Sequence, residues 1–251
     1  MKKAGKKINA AIIVIGNEIL SGRTQDVNVS FLSKWLNNLG VIVSEVRIIE
    51  DNEKSIINCV LELKNKFKYI FTTGGIGPTH DDITSKSIAK AFKLKYGFHK
   101  EAYDILEKYY TPEKFNEGRK KMAKIPSGAL LIYNPSSGAP GFIVENVYCL
   151  PGVPSILKSM VNGLQNKIIG GKKILSETIS IQIVESEIAK FLENIQNHFK
   201  HVEIGSYPFF RLGKIGVSVV VRSTEKKQID DCCKLIVSFL KKNKIHIMER
   251  K

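Results

Sequence analysis

The strongest constraint on this chain is how its first third alternates short β-branched runs with amphipathic stretches. Residues 9–15, 41–49 and 69–73 are too short and too rich in Val and Ile to be helices. Between the first two, residues 26–39 place Val29, Leu32, Trp35, Leu36 and Leu39 on one 3.6-residue face, and Gly40 stops the helix. Between the second and third, residues 54–66 turn Ile56, Ile57, Val60, Leu61 and Leu63 inward. A strand–helix–strand–helix–strand order requires crossover connections, so an α/β fold with a mostly parallel sheet is predicted. A helix over 84–92, a Lys-rich helical stretch over 101–122, strands at 130–133, 141–144 and 147–150, and a helix over 154–167 follow. The turn-rich Gly170-Gly-Lys-Lys173 marks a boundary between domains at 8–169 and 172–251. Beyond it, strand 174–183, helix 185–197, strands 202–206 and 215–221, helix 226–241 and strand 244–248 read as βαββαβ. That is a small α+β, ferredoxin-like domain.

Charge and cysteine content narrow the partners. The net charge of +15 suggests a polyanion, but only six of the 39 basic residues are arginine. The 33 lysines are spread along the chain, often beside acids, as in 101–108 and 113–124. No helix-turn-helix or RNA-binding signature occurs. No nucleic-acid partner is expected, whereas a basic field still attracts a small anion such as a nucleotide. Cys59, Cys149, Cys232 and Cys233 form no C-x-x-C pair, so reduced thiols in the cytoplasm are expected. The basic arm 1–7 precedes an apolar run of six residues that ends at Gly16. A secretory core needs about 7–15 and a membrane span about 20, so neither is expected.

The segment most suggestive of chemistry is Thr72-Thr-Gly-Gly-Ile-Gly-Pro-Thr-His-Asp-Asp-Ile-Thr84, directly after the third strand. Ligands of open α/β sheets lie beyond the carboxyl ends of strands. Gly74, Gly75 and Gly77 allow backbone amides to approach an anion, and a helix start follows. No G-K-[ST] follows, so this is not a P-loop, nor do the glycines spell the dinucleotide fingerprint. The adjacent carboxylates of Asp81 and Asp82 have two readings. Either one caps the helix at 84–92, or the pair holds a divalent cation shared with a substrate phosphate. Three further loops end strands: Gly16-Asn-Glu-Ile-Leu-Ser-Gly22, Asn134-Pro-Ser-Ser-Gly-Ala-Pro-Gly141 and Leu150-Pro-Gly-Val-Pro-Ser155. No nucleophile elbow exists, the five histidines suggest no triad, and Cys232 and Cys233 read as packing residues.

Together, Gly74-Gly-Ile-Gly-Pro-Thr-His-Asp-Asp82, Asn134-Pro with Ala139-Pro-Gly141, and Leu150-Pro-Gly-Val-Pro154 resemble the MoaB/Mog (molybdopterin-binding) domain family. The resemblance is to the branch found at the N-terminus of CinA proteins and covers about residues 9–168. Gly22-Arg-Thr-Gln-Asp-Val-Asn28 is similar to the N-terminal domain of eukaryotic FAD synthases. The tail, with Gly205-Ser-Tyr-Pro208, is similar to the second domain of the same branch. The resemblance implies a three-layer α/β/α domain handling a diphosphate. Mog-type relatives adenylylate molybdopterin, while the CinA and FAD-synthase branches hydrolyse ADP-ribose or FAD with a divalent metal. The acid those hydrolases need falls on Asp82, with Asp81 where Mog proteins carry arginine. Asn17 replaces an aspartate common among relatives. CinA proteins often continue into a deamidase domain, and with the sequence ending at Lys251 no deamidation is expected.

The resulting expectation is a cytoplasmic, metal-dependent pyrophosphatase cleaving ADP-ribose or FAD. Asp81 and Asp82 are the catalytic candidates, and together with Glu18 they are the ligands for Mg, Mn or Co. Substrate binding is assigned to Gly74, Gly75, Gly77, Pro78, Thr79, Asn134, Ser137, Gly138, Pro140, Gly141, Pro151 and Gly152. A molybdopterin-binding adenylyltransferase and a non-catalytic nucleotide-binding module are the alternatives. By fold analogy, the tail serves homo-oligomer contacts or lids the site.

Overall fold

The computed structural model describes residues 8–211 and 213–251. The basic arm at 1–7 lies outside the described residues. The chain divides after Gly171 into two units.

In the first unit, β1 (Ile8–Ile15) leads through the short α1 (Asn17–Leu20) and α2 (Asn28–Asn38) to β2 (Val41–Ile49). Helix α3 (Glu53–Leu63) returns the chain to β3 (Tyr69–Thr73), followed by α4 (Thr84–Ala91). The sheet partners run parallel, with Val14 opposite Thr73 and Ile13 opposite Arg47. β1 is buried along nearly its whole length because helices cover both faces, which explains its unbroken apolar sequence. One face carries Leu32 and Leu36 of α2 against Ile12, Val14 and Phe71. The other carries Ile56, Val60 and Leu63 of α3 against Ala11, Ile13 and Ile70. β2 is an edge strand and alternates instead, with Arg47 bridging Glu45 (2.6 Å) and Glu62 (2.7 Å) on the surface.

The Lys-rich stretch departs from the expected single helix. β4 (Tyr96–Phe98) is followed by α5 (Lys100–Tyr109), a 3-10 turn at Pro112–Lys114, α6 (Glu117–Lys121) and β5 (Lys124–Pro126). Pro112 cannot continue α5 and holds Thr111 extended, while the Asn116 side chain accepts the Arg119 amide hydrogen and starts α6. β4 and β5 pair antiparallel and close this excursion at its base.

β6 (Leu130–Ile132), β7 (Gly141–Val144) and β8 (Val147–Leu150) complete a sheet of order β2-β1-β3-β8-β7-β6. β8 lies parallel to β3, but β7 and β6 are antiparallel to their neighbours, so the sheet is mixed, with three parallel pairings and two antiparallel ones. Only Glu145 and Asn146 join β7 to β8, and two residues form a hairpin, never a crossover. Glu145 accordingly adopts φ 51°. Helix α7 (Pro154–Val161) then tightens into a 3-10 turn at Asn162–Lys167. Gly170 and Gly171 pack against the backbone of Leu39 and Gly40, where Gly171 donates its amide hydrogen to Leu39 O (3.1 Å).

The second unit comprises β9 (Leu175–Ile181), α8 (Glu185–His198), β10 (Glu203–Arg211), β11 (Lys214–Ser223), α9 (Lys226–Lys242) and β12 (Ile247–Arg250). Its sheet has order β10-β11-β9-β12 with every pairing antiparallel. Ile179, Ile181, Val217 and Val219 meet Ile188 and Leu192 of α8 and Ile229 and Ile236 of α9. β10 runs past Pro208 because it is an edge strand, where a missing N–H breaks no ladder. All four cysteines are free and buried, and burial pushes the Cys149 and Cys233 thiols up to about 12, so they remain packing groups. Among the described residues, no helix is long and apolar enough to cross a membrane.

Glu177 is the buried charge of this unit. Arg250 of β12 donates to it at 2.5 Å and Lys226 of α9 at 3.3 Å. Burial pushes its pKa up, but the two cationic partners outweigh that and hold it below the ordinary glutamate value. A depressed folded-state pKa contributes stability that is complete above the unfolded value, about 4.3, and is lost as pH falls through the folded value. Glu177→Gln is expected to cost about 2 kcal/mol at pH 7 and to flatten the acid limb of stability. Urea unfolding from pH 3 to 7, with hydrogen exchange followed at β9 and β12, checks both.

Candidate functional site

Passing from β1 to β2 and back across β1 to β3, the chain reverses its direction of travel through the sheet, which sends α2 and α3 to opposite faces. Such a reversal is where open α/β sheets take their ligands, beyond the carboxyl ends of β1 and β3. The glycine loop begins there. Gly74 has φ 104° and Gly75 φ 69°, and a Cβ on Gly74 would overlap Ile15 O at the end of β1. A Cβ on Gly75 would overlap the Thr84 hydroxyl, which donates to Gly74 O (3.0 Å) while the Thr84 amide donates to Gly75 O (2.9 Å). Bare backbone is therefore a geometric requirement at both positions. The Gly74 amide donates to Leu150 O (3.0 Å), and a Cβ on Gly152 would stand 3.5 Å from Gly74 Cα. Asn28, at the start of α2, donates from Nδ2 to Gly152 O at 2.8 Å. Pro151 and Gly152 thus join the glycine loop at one rim. Three buried side-chain atoms without a partner among the described residues, Asn28 Oδ1, Thr72 Oγ1 and Thr73 Oγ1, belong to the same neighbourhood.

Thr79 organises the loop apex. Its amide donates to Asp82 Oδ2 (2.8 Å), and its hydroxyl reaches both Asp82 Oδ2 (2.5 Å) and Asp81 Oδ1. The Thr79 hydroxyl is the main cause holding the Asp81 carboxyl below its ordinary range. Neither aspartate caps α4, whose N-cap position is Ile83 without a side-chain bond. Pro78 has no amide hydrogen to offer and that of Thr79 is engaged, so Gly75, Ile76 and Gly77 carry the amides that bond nothing among the described residues. Glu18 of α1 folds back over its own turn, its Oε1 only 2.6 Å from where a Gly16 Cβ would lie.

The loop between β6 and β7 reaches the same rim because β7 runs antiparallel to β8. Asn134, which is buried, ties this loop together internally. Its Oδ1 accepts the amides of Ser136 (2.9 Å) and Ser137 (3.0 Å), and its Nδ2 donates to Ser137 Oγ (2.7 Å) and Ala139 O (2.9 Å). Gly138 (φ 75°) lies against the Tyr109 ring, and Gly141 packs on Cys149 O beside Pro140. A largely apolar cleft of about 520 Å³ opens on the outer side of this loop, between Ile105 of α5 and Met160 of α7, with Glu101 and Tyr133 at its edge. No residue of the glycine loop lines it.

Two contributors were missed from sequence. Asp51, at the end of β2, accepts the Asn17 amide (2.8 Å), and burial raises its pKa, with Glu18, Asp81 and Asp82 adding to the effect. Its place after a parallel strand was the available signal. Lys121 of α6 donates to Thr79 O, a contact across 42 positions that no local pattern announces.

Residues 11–170 match the family model described as "Probable molybdopterin binding domain". The chain belongs to that family. Residues 173–249 match the model described as "FAD synthase, middle domain". A protein of Archaeoglobus fulgidus is 34% identical over 215 residues, which is 86% of this chain and 91% of that protein. A Saccharolobus islandicus protein is 34% identical over 197 residues, 74% of this chain and 75% of its own length. CinA from Thermoplasma acidophilum, described as of unknown function, is a structural neighbour with 31% identity and a TM-score of 0.61, covering 63% of this chain and 96% of that one. The MoaB/Mog and CinA resemblance carried by the motifs is therefore established.

The expectation of a metal-dependent pyrophosphatase is corrected. Among the described residues no three His, Cys, Asp or Glu side chains converge into a metal-ligating group. Asp81 and Asp82 bond to Thr79 instead, and Glu18 folds back on its turn. The matching family is described by binding, not hydrolysis. The hydrolase, pyrophosphatase and metal-binding expectations fall together.

Gly75→Ala is expected to destabilise the first unit by about 2 kcal/mol or more, through the left-handed backbone and the collision with Thr84. Gly22→Ala, at φ 72° with open space around it, should cost only about 1 kcal/mol. Comparing the two melting temperatures isolates the packing contribution.

Proposed function

We propose that the first unit is a binding module for a small phosphorylated nucleotide or pterin, taken at the rim where the glycine loop, the end of β1 and the Pro151-Gly152 turn meet. The observation that carries this reading is the pair Gly74–Gly75. Their positive φ angles and the absence of room for any side chain keep bare backbone at the carboxyl ends of β1 and β3, where the sheet reverses its winding. The amides of Gly75 to Gly77 are the donors left for a phosphate, with Gly152 contributing a second bare surface. The unpaired polar atoms of Asn28 and Thr73 support the same location, because buried groups without partners mark places held for something other than stability. The family's description as a molybdopterin-binding domain favours a pterin carrying a phosphate, and the FAD synthase match of the tail makes a nucleotide the natural comparison. We assign the working domains as 8–169, a three-layer MoaB/Mog-like unit, and 172–251. The βαββαβ order and β10-β11-β9-β12 arrangement of the second support a ferredoxin-like fold.

Calorimetric titration with AMP, ADP and a phosphorylated pterin, each beside its unphosphorylated counterpart, tests the module. A phosphorylated compound is expected to bind, and at a hundredfold excess over Kd to stabilise the protein by about 2.7 kcal/mol. Amide NMR shifts should centre on Gly74 to Gly77. Absence of binding by every phosphorylated compound would overturn the reading.

A further inference from the structure

We propose that Lys121 supplies the positive charge for the ligand's phosphate at the glycine loop, resting on the Thr79 carbonyl until the ligand arrives. The inference rests on the binding reading above and adds the residue on which phosphate recognition depends. Its physical basis is the charge at the rim. Glu18, Asp81 and Asp82 stand close enough to Asp51 that each adds to the rise in its pKa that burial causes. Backbone amides alone would have to hold a phosphate against that field, so a nearby cation decides whether an anion stays.

The excursion between β4 and β5 places one. Helix α6 lies on the glycine loop, and a Cβ on Gly118 would stand 3.3 Å from Pro78 O and 3.6 Å from Pro78 Cβ. Its other cations are committed elsewhere. Arg119 stacks on the Tyr110 ring at 4.2 Å and donates to Lys114 O, and Lys120 pairs with Glu117 at 2.8 Å. Lys124, at the start of β5, stands over the Phe98 ring at 4.7 Å. Lys121 alone of these reaches the loop, where its ammonium donates to Thr79 O, and among the described residues no carboxylate lies within ion-pair reach of it. A carbonyl is a weaker partner for an ammonium than a phosphate oxygen, and a flexible four-carbon stem allows the exchange at little cost. Asp81, bonded to the Thr79 hydroxyl beside the same carbonyl, competes with the ligand for this charge.

The competing explanation is that Lys121 merely pins α6 to the loop. Titrations with AMP and adenosine in EDTA-containing buffer separate the two. Lys121→Met should weaken AMP roughly ten- to hundredfold and change adenosine affinity less than twofold. Lys121→Arg should retain AMP within a few fold, and Asp81→Asn should tighten it. Equal loss of AMP and adenosine in Lys121→Met, unchanged AMP affinity in that variant, or AMP binding that requires added Mg²⁺ overturns the assignment. If wild-type protein binds no phosphorylated nucleotide or pterin, the binding reading itself fails. If wild type binds AMP and Lys121→Met binds it equally well, only the role of Lys121 fails.

Discussion

The close approach of Gly74 to the carbonyl of Ile15 is the contact on which the rim is built. It exists because β1 and β3 are parallel neighbours whose following segments leave in different directions, one toward α2 and the other toward α4. A side chain at position 74 would push the two strand ends apart. That would also break the Gly74 bond to Leu150 and shift Gly152, so three loops would lose their registration together. The apolar layers on both sides of the sheet hold the strands rigid, and the rim inherits that rigidity. Loops on such a scaffold can keep backbone amides aimed into open space without collapsing onto one another.

Much of the fold was legible because its determinants are local. The first three strands and two helices follow from residue periodicity, and the structure ends them within a few residues of the expected positions. Failures occurred where one residue overrode a pattern or where pairing depended on distant partners. Pro112 splits a stretch whose composition favours helix, and Pro208 proves harmless because its strand lies at an edge, which no single strand reveals about itself. The reversal of β7 and β6 was implicit in the two residues between Val144 and Val147, too few for any crossover.

In the site, residue types were legible and their bonding was not. Asp81 and Asp82 stood out as paired acids after a glycine loop, yet Thr79 three positions before Asp82 offered a purely local use for them, the side-chain-to-amide bond common to Thr-x-x-Asp turns. Two local readings of one charge pair competed, and spacing alone favoured neither. Asn134 shows the same ambiguity from the other side. A polar residue in a strand-end loop looked ready for a ligand, but its amide already bonds Ser136, Ser137 and Ala139. Asp51 and Lys121 were invisible because their importance comes from positions brought close only by the complete sheet and its excursion.

The carboxylate of Asp82 also explains why the loop can stay open without a ligand. In a run of unpaired amides, each donor that is shielded from water costs free energy. Asp82 neutralises part of that cost by accepting the Thr79 amide and hydroxyl and by lying over Gly77, with Oδ2 only 2.7 Å from where a Cβ would be. In effect the loop carries its own anion at the Gly77–Thr79 end and leaves the Gly75–Ile76 end uncommitted. The same acid that steadies the loop then repels any phosphate approaching it, so loop stability and anion affinity pull in opposite directions. A lysine delivered from outside the loop, on α6 packed against Pro78, is the arrangement that lets both be satisfied.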